Sequence, residues 1–156
     1  MDIFNPSICL ATELKNSWCV NIITRESSDK VPVEMVSGIP RIKAEYDERS
    51  KEDWFAMALP LNSDWSPQDI SELSELKFVF FSDSHSGGLV RIEDEHGVES
   101  EDFILDNSKF KVGTESTICI DLNKEFLGKI NAKKVRVVKF IGFSASAFYL
   151  SELCVE

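Results

Sequence analysis

Short apolar segments with a period-two alternation are the feature that most constrains how this chain can fold. They have the length of β-strands, and polar turns separate them. Because successive side chains of a strand point to opposite faces, such alternation is typical of sheets with one buried face. Residues 135–143 are apolar on both faces apart from Arg136 and Lys139, which indicates a central strand. The segments are 39–47, 54–61, 76–82, 89–95, 98–105, 117–122, 135–143 and 148–155.

The composition supports one β-rich domain. The 156 residues include 13 Ile and 12 Val against 7 Ala, a balance that favours strands over helices. Helix is expected only as short turns near Asp69 and Lys124. Eight to ten strands joined by polar turns predict an all-β fold, a single jelly-roll β-sandwich of two antiparallel sheets over residues 1–156.

The charge balance excludes several classes of partner. Lys and Arg number 17 against 27 Asp and Glu, which gives a formal net charge of −10. A chain this acidic is a poor candidate for binding nucleic acid or an anionic membrane. No apolar run approaches the roughly 18 residues of a membrane-spanning helix, and residues 1–6 lack a basic leader. We therefore expect a cytoplasmic location, or an extracellular one if the chain is an excised module.

Charge is unevenly distributed along the chain. Residues 93–106 contain seven acidic residues and no Lys or Arg. Residues 124–139 contain six basic residues and one acidic residue, Glu125. Two solvated edges of opposite sign would explain this pattern, and so would an acidic hairpin that docks a protein or attracts a metal ion.

The sequence lacks the familiar catalytic motifs. Glycine-rich nucleotide loops, H-E-x-x-H and G-x-S-x-G are all missing. The run Asp83-Ser84-His85-Ser86 contains the residue types of a hydrolytic triad, but a triad is assembled in space from separate segments. The second histidine, His96, also falls in a predicted turn. We therefore expect no enzyme activity.

The chain has four cysteines, and none forms a C-x-x-C pair or lies near a histidine in sequence. A zinc site is therefore not expected. A core of this size needs no disulfides, which favours four reduced thiols. The alternative is one disulfide near the chain ends, if Cys9 or Cys19 meets Cys154.

The order of features from about Ile42 onward resembles a known family. Asp64-Trp65-Ser66 follows the segment 54–61, and the chain closes with Phe148-Tyr149-Leu150-Ser151-Glu152-Leu153. These motifs are similar to those of the galactose-binding-like jelly rolls, and among them to the carbohydrate-binding modules attached to bacterial endoglucanases. The resemblance implies two antiparallel sheets, with an oligosaccharide or polysaccharide held on the concave sheet by aromatic and polar side chains.

The resemblance also bears on metal binding. Many of these modules hold a structural calcium ion near the two chain ends, and the closing strand usually carries paired aspartates. Ser151 and Glu152 stand at the matching positions here. The resemblance therefore implies Glu152 as a ligand of calcium, with Asp2 or Glu13 from the other chain end, and no other cofactor is expected.

Alternation places a candidate ligand floor on the outward side of the strands. If Val90 and Ile92 point to the core, Arg91 and Glu93 point outward. The alternative is a solvated sheet that carries cross-strand ion pairs. The candidate ligand contacts are Tyr46, Lys77, Phe81, Arg91, Glu93 and Lys139.

Aromatic residues are the natural partners of a sugar, because pyranose rings present flat apolar faces that stack on them. For each candidate ring, burial in the core or under a loop is the alternative. The first function hypothesis is non-catalytic glycan binding on the concave face. The second is an intracellular protein-interaction domain that uses the sandwich and the acidic hairpin 93–106. The candidate rings are Trp18, Trp54, Trp65, Tyr46 and Tyr149.

Overall fold

The structure of the protein is a computed structural model that describes residues 8–9, 18–20, 22–23, 32–83, 88–143 and 147–156. These residues form eleven β-strands and one four-residue helix. The elements are β1 (Ile8–Cys9), β2 (Trp18–Val20), β3 (Val33–Val36), β4 (Ile39–Glu45), β5 (Trp54–Pro60), β6 (Glu75–Ser82), β7 (Gly88–Asp94), β8 (Phe103–Leu105), β9 (Ser116–Asp121), α1 (Lys124–Leu127), β10 (Val135–Phe143) and β11 (Ala147–Val155).

The strands form two sheets, and the strand pairs of the described residues are antiparallel. The six-stranded sheet has the order β3-β4-β11-β6-β9, and β1 pairs with the end of β11. The five-stranded sheet has the order β2-β5-β10-β7-β8. The predicted all-β sandwich of two antiparallel sheets is confirmed.

The core lies between the inward sides of the two sheets. Phe78 of β6 meets Phe140 of β10 edge to face, with ring centroids 5.2 Å apart. Phe55 of β5 stacks on Phe148 of β11 at 5.6 Å. Each contact joins the two sheets, and burying one such side chain contributes about 2–3 kcal/mol. Phenylalanine packing therefore contributes to holding the two sheets together.

One position in this core depends on the absence of a side chain. Gly142 of β10 faces inward, and a Cβ atom there would overlap the ring of Phe55. A larger residue at 142 would push Phe55 out of its place against Phe148. Glycine is thus the residue that lets β10 and the Phe55 ring approach each other.

In the described part of the chain helix is limited to one turn, at the position near Lys124 that the sequence predicts. Asn123 begins α1 by accepting a hydrogen bond from the N–H of Phe126, and Gly128 ends it with a positive φ of 59°. Near Asp69 the chain forms a turn, in which the carboxylate accepts from the N–H of Ser71. The described residues contain no helix that is long and apolar enough to cross a membrane.

Candidate functional site

The structure separates the predicted ligand contacts onto two opposite surfaces. Arg91 and Glu93 lie on β7 and Lys139 lies on β10, all in the five-stranded sheet. Lys77 and Phe81 lie on β6, in the six-stranded sheet. The expectation of one shared floor is wrong, because the chain changes sheet between β6 and β7 and the two outward sides face away from each other.

Tyr46 belongs to neither surface. Its side chain is buried, its ring lies 6.3 Å from that of Phe55, and its hydroxyl donates to the backbone carbonyl of Glu52. A groove that includes Tyr46 is therefore excluded, and the alternative of burial is the correct one for this ring. Ile42 and Ala44 of β4, the strand that ends just before Tyr46, are buried in the same core.

Three large rings line the outward side of the five-stranded sheet, which we call the aromatic face. Trp18 of β2, Trp54 of β5 and Phe143 of β10 are 43%, 36% and 50% exposed. Trp54 and Phe143 are directly opposite each other across neighbouring strands. Trp18 is opposite Ala58, which follows Trp54 by four residues on β5. The same cross-strand row continues through Lys139 of β10 to Arg91 of β7. The face therefore combines aromatic and charged groups.

The alternation of β5 explains why this face is open. Phe55, Met57 and Leu59 point inward and are fully buried, which turns Trp54, Ala56 and Ala58 outward. The two alanines add little bulk to the outward side between Trp18 of β2 and Phe143 of β10.

The polar half of the aromatic face is a network of ion pairs. The Arg91 guanidinium donates to Glu99 and to Asp102, each at 2.8 Å. The Lys139 ammonium group lies 3.1 Å from Glu93 and 3.9 Å from Glu99. Burial would lower the pKa of Arg91, but the Glu99 hydrogen bond and the two carboxylate charges raise it. Arg91 thus stays charged and holds two acidic side chains beside the sheet.

Asp94 holds in place the segment between β7 and β8, which carries Glu99 and Asp102. Its carboxylate is buried and accepts the backbone N–H groups of His96, Val98 and Asn131 at 2.9, 3.1 and 2.9 Å. Burial alone would raise the pKa of Asp94, but these three hydrogen bonds lower it below its usual value. The turn after β7 is therefore tied to the loop before β10.

The outward side of the six-stranded sheet, which we call the tyrosine face, has a different arrangement. The Tyr149 ring lies 6.0 Å from that of Phe81, and both side chains are half-buried. Arg41 and Lys43 lie over the Tyr149 ring at 5.6 and 5.9 Å from its centroid. Arg41 also pairs with Glu115 at 2.7 Å. Cations therefore cover the ring that a sugar would need.

The predicted calcium ligands are placed only in part. Glu152 is exposed at a bulge of β11, with a φ of 51°, and lines a cavity of about 210 Å³ with Lys77 and Glu156. Asp2 and Glu13 lie outside the described residues. Within the described part of the chain no three His, Cys, Asp or Glu residues cluster in a way that could hold a metal ion. Calcium binding stays a prediction.

The acidic segment 93–106 forms the end of β7, a turn and β8. Glu93, Glu99 and Asp102 are paired with the cations of the aromatic face, so part of its negative charge is already neutralised. Beyond them an open groove of about 650 Å³ has an apolar floor that includes Phe103 and Phe126, with carboxylates around it. A protein-docking role for this segment stays a prediction.

Comparisons with known proteins find similar structures but no similar sequence family. No protein-family model and no curated protein matches the chain. The structure is similar to a family 30 carbohydrate-binding module of the cellulosomal cellulase Cel9D-Cel44B of Clostridium thermocellum. The TM-score is 0.76 at 15% identity, over 97% of this chain and 98% of the module. The resemblance noted from the sequence is thereby confirmed at the level of the fold.

Two further structures carry the same sandwich. One is a family 11 carbohydrate-binding module of the cellulosomal cellulase Lic26A-Cel5E of Clostridium thermocellum, with a TM-score of 0.56 at 13% identity over 89% of this chain and 85% of that one. The other is a β-1,2-glucanase from Parabacteroides distasonis, with a TM-score of 0.61 at 13% identity over 90% of this chain and 23% of the glucanase. At these identities the likeness is one of fold.

Sequence reasoning names the polar residues of the aromatic face and two of its three rings, but not the third. Trp18 and Trp54 were candidates with burial as the alternative, and Phe143 was not considered as a contact. The outward position of Trp54 could have been found from the buried alternation of Phe55, Met57 and Leu59. The pairing of Phe143 with Trp54 is a long-range register, which no local pattern reveals.

Proposed function

We propose that this protein is a non-catalytic module that binds a polysaccharide chain on its aromatic face. The observation that carries the proposal is the exposure of Trp18, Trp54 and Phe143 on one side of one sheet. Exposed large aromatic side chains are costly to leave in water and mark binding surfaces when they share a face. Flat apolar rings beside ion-paired carboxylates are the combination that sugar faces and hydroxyls require.

The spacing of the rings favours a chain over a single sugar. Trp54 and Phe143 are neighbours across two strands, whereas Trp18 aligns with Ala58, four residues along β5. Four residues of a strand span about 13 Å, which exceeds the width of one pyranose ring. The two aromatic positions therefore contact different sugar units of one chain.

The charged residues complete the site by hydrogen bonding. Glu93 accepts hydrogen bonds from the hydroxyl groups of the sugar. Lys139 and Arg91, which are opposite each other on β10 and β7, donate hydrogen bonds to its hydroxyl or ring oxygens. Their ion pairs hold these groups in place before the ligand arrives, which reduces the entropy lost on binding. In this proposal, Lys77 and Phe81 stand on the opposite surface and contribute nothing to the same ligand.

The similar structures support the choice of ligand. The family 30 and family 11 modules belong to cellulosomal cellulases, so soluble cello-oligosaccharides and cellulose are the first ligands to test. A module that binds sugar needs no catalytic group, which agrees with the predicted lack of enzyme activity. The cytoplasmic location stays a prediction.

Affinity electrophoresis and isothermal titration across a panel of neutral polysaccharides test the proposal. We expect at least one ligand to bind, and Trp54→Ala to weaken its binding by about tenfold or more. Phe81→Ala, on the opposite surface, is the matched control and should leave the affinity unchanged. No binding to any member of the panel by the folded protein would contradict the proposal.

We also retain the structural calcium as a proposal, with Glu152 as the side-chain ligand. A metal ion that binds only the folded state raises the temperature of unfolding. Calcium should therefore raise the Tm and a chelator should lower it, while Glu152→Gln should remove the difference. Identical melting curves with calcium and with chelator would eliminate this site.

A further inference from the structure

Three of the four cysteines lie in one row across the six-stranded sheet. Cys9 of β1 is directly opposite Cys154 of β11. Cys154 is in turn opposite Lys77 of β6, and Lys77 is opposite Cys119 of β9. The fourth, Cys19, is buried on the inward side of the other sheet. The register thus brings together two cysteines from the first and last strands of the fold.

The spacing within this row permits one disulfide. Opposed residues of antiparallel strands have Cα atoms about 4.5 or 5.5 Å apart, and a disulfide needs about 4.4–6.8 Å. Cys154 and Cys119 are two strand spacings apart, about 9–10 Å, which is too far for a disulfide without backbone movement. Cys9 and Cys154 are therefore the pair whose backbone positions fit.

We propose that Cys9 and Cys154 form a cross-strand disulfide on oxidation, which fastens β1 to β11 independently of any ligand on the aromatic face. Among the described residues two pairs, Ile8 with Val155 and Cys9 with Cys154, join these strands. A covalent bond there closes a loop of nearly the whole chain. It therefore restricts the unfolded state more than a local cross-link would.

The bond forms by thiol–disulfide exchange with oxidised glutathione as the oxidant. One cysteine thiolate attacks the glutathione disulfide, which gives a mixed disulfide and releases one reduced glutathione. The second cysteine thiolate then attacks the protein sulfur of that mixed disulfide and displaces the second glutathione. The protein loses two hydrogen atoms, and one oxidised glutathione becomes two reduced molecules.

Cys119 provides a matched control in the same row. It is exposed on the other side of Lys77. Desolvation and the nearby Glu75 carboxylate raise the pKa of the Cys119 thiol, so little of the reactive thiolate is present at neutral pH. Its substitution should leave the proposed bond intact.

The test is a thiol count and a peptide map of the full chain before and after incubation with oxidised glutathione. We expect the four thiols to fall to two, with a digest peptide that joins the segments of Cys9 and Cys154. Oxidation should raise the Tm by about 5–10 °C, and a reductant should reverse the rise. Cys119→Ser should behave like the unmodified chain, whereas Cys154→Ser and Cys9→Ser should each lose both the peptide and the rise.

Two results would overturn the proposal. One is retention of four titratable thiols by the folded, unmodified chain after oxidation. The other is a linked peptide that contains Cys19 or Cys119 in place of Cys9 or Cys154. Both measurements are made on the unmodified chain, so they decide the matter even if a serine variant fails to fold.

Discussion

The two outward surfaces of the sandwich contain similar residues in different arrangements. Each carries aromatic rings, two basic residues near them and carboxylates. On the aromatic face, Arg91 and Lys139 are bound by carboxylates, and the rings of Trp18 and Trp54 are exposed. On the tyrosine face, Arg41 and Lys43 lie over the Tyr149 ring itself.

This difference indicates that exposure of a ring depends on whether the neighbouring cations lie over it. A cation over a ring gains about 0.5–1 kcal/mol at an exposed site, and a ligand must displace it before it can stack. Arg91 and Lys139 are held among the carboxylates beside their sheet, whereas Arg41 lies over the Tyr149 ring even while it pairs with Glu115. The same residue types therefore leave large rings exposed on one surface and place cations over a ring on the other.

The largest effect on polysaccharide binding should come from removing the two tryptophans of the aromatic face. The double variant Trp18→Ala/Trp54→Ala removes two stacking positions and should weaken polysaccharide binding by about 100-fold or more. The matched double variant Phe81→Ala/Tyr149→Ala removes as many rings from the opposite surface and should change the affinity less than about twofold. Isothermal titration of both variants, with circular dichroism to confirm folding, makes the comparison. Equal losses in the two variants would refute the assignment of the site to the aromatic face.

The general fold could be predicted from local pattern, but the site could not. Alternation along each strand is set by side chains a few residues apart, so the strands around Phe78, Val90 and Phe140 were recognisable. Which strands share a sheet is set by long-range pairing, and that decides whether Phe81 and Arg91 face the same way. Their separation onto opposite surfaces has no signature in either strand alone.

Tyr46 illustrates the second limit of a local pattern. A tyrosine at the end of an alternating segment is compatible with exposure or burial, and its neighbours in sequence do not decide between them. Its burial depends on Phe55, which comes from a different strand, and on a carbonyl at Glu52 that satisfies its hydroxyl. Burial of a polar ring requires such a partner, and the partner is known only once the fold is known.

The next largest effect should be on stability, through the residue that supports the polar half of the aromatic face. Asp94→Asn replaces one carboxylate oxygen with an N–H₂ group, which would face the N–H of Asn131 without an acceptor. We expect the free energy of unfolding to fall by about 1–3 kcal/mol, measured by urea denaturation. Asp106→Asn is the control, because the exposed Asp106 carboxylate accepts from Ser108, two residues away in sequence. A larger loss at Asp106 than at Asp94 would contradict this account.

The pH dependence of stability, compared between the unmodified chain and Asp94→Asn, sharpens the test. The pKa of Asp94 is lowered in the folded state, so its carboxylate stabilises the fold at neutral pH. That contribution is present above the unfolded pKa of about 3.9 and is lost as the pH falls through the lower folded value. The difference in unfolding free energy between the unmodified chain and Asp94→Asn should therefore shrink below about pH 4. A difference that stays constant down to pH 2 would show that ionisation of Asp94 is not its source.

A smaller effect is expected from single charges on each surface. Glu93→Gln removes a charged acceptor and the 3.1 Å partner of Lys139, and should weaken ligand binding by about three- to tenfold. Glu115→Gln removes the partner of Arg41 on the tyrosine face in the same way and should not change ligand binding. Titration of both variants measures the two effects. Loss of binding in Glu115→Gln alone would reverse the assignment of the two surfaces.

The smallest effect should follow from uncovering Tyr149. Arg41→Gln/Lys43→Gln removes two cations from the ring, and because exposed ion pairs and cation–π contacts are weak, stability should change by only about 1 kcal/mol. If covered rings are what keep the tyrosine face closed, the same change in the Trp18→Ala/Trp54→Ala background should restore a trace of polysaccharide binding. That binding should disappear again when Tyr149→Ala is added. Affinity electrophoresis at high polysaccharide concentration detects such weak binding, and no recovery would mean that the position of the cations does not explain the difference between the two surfaces.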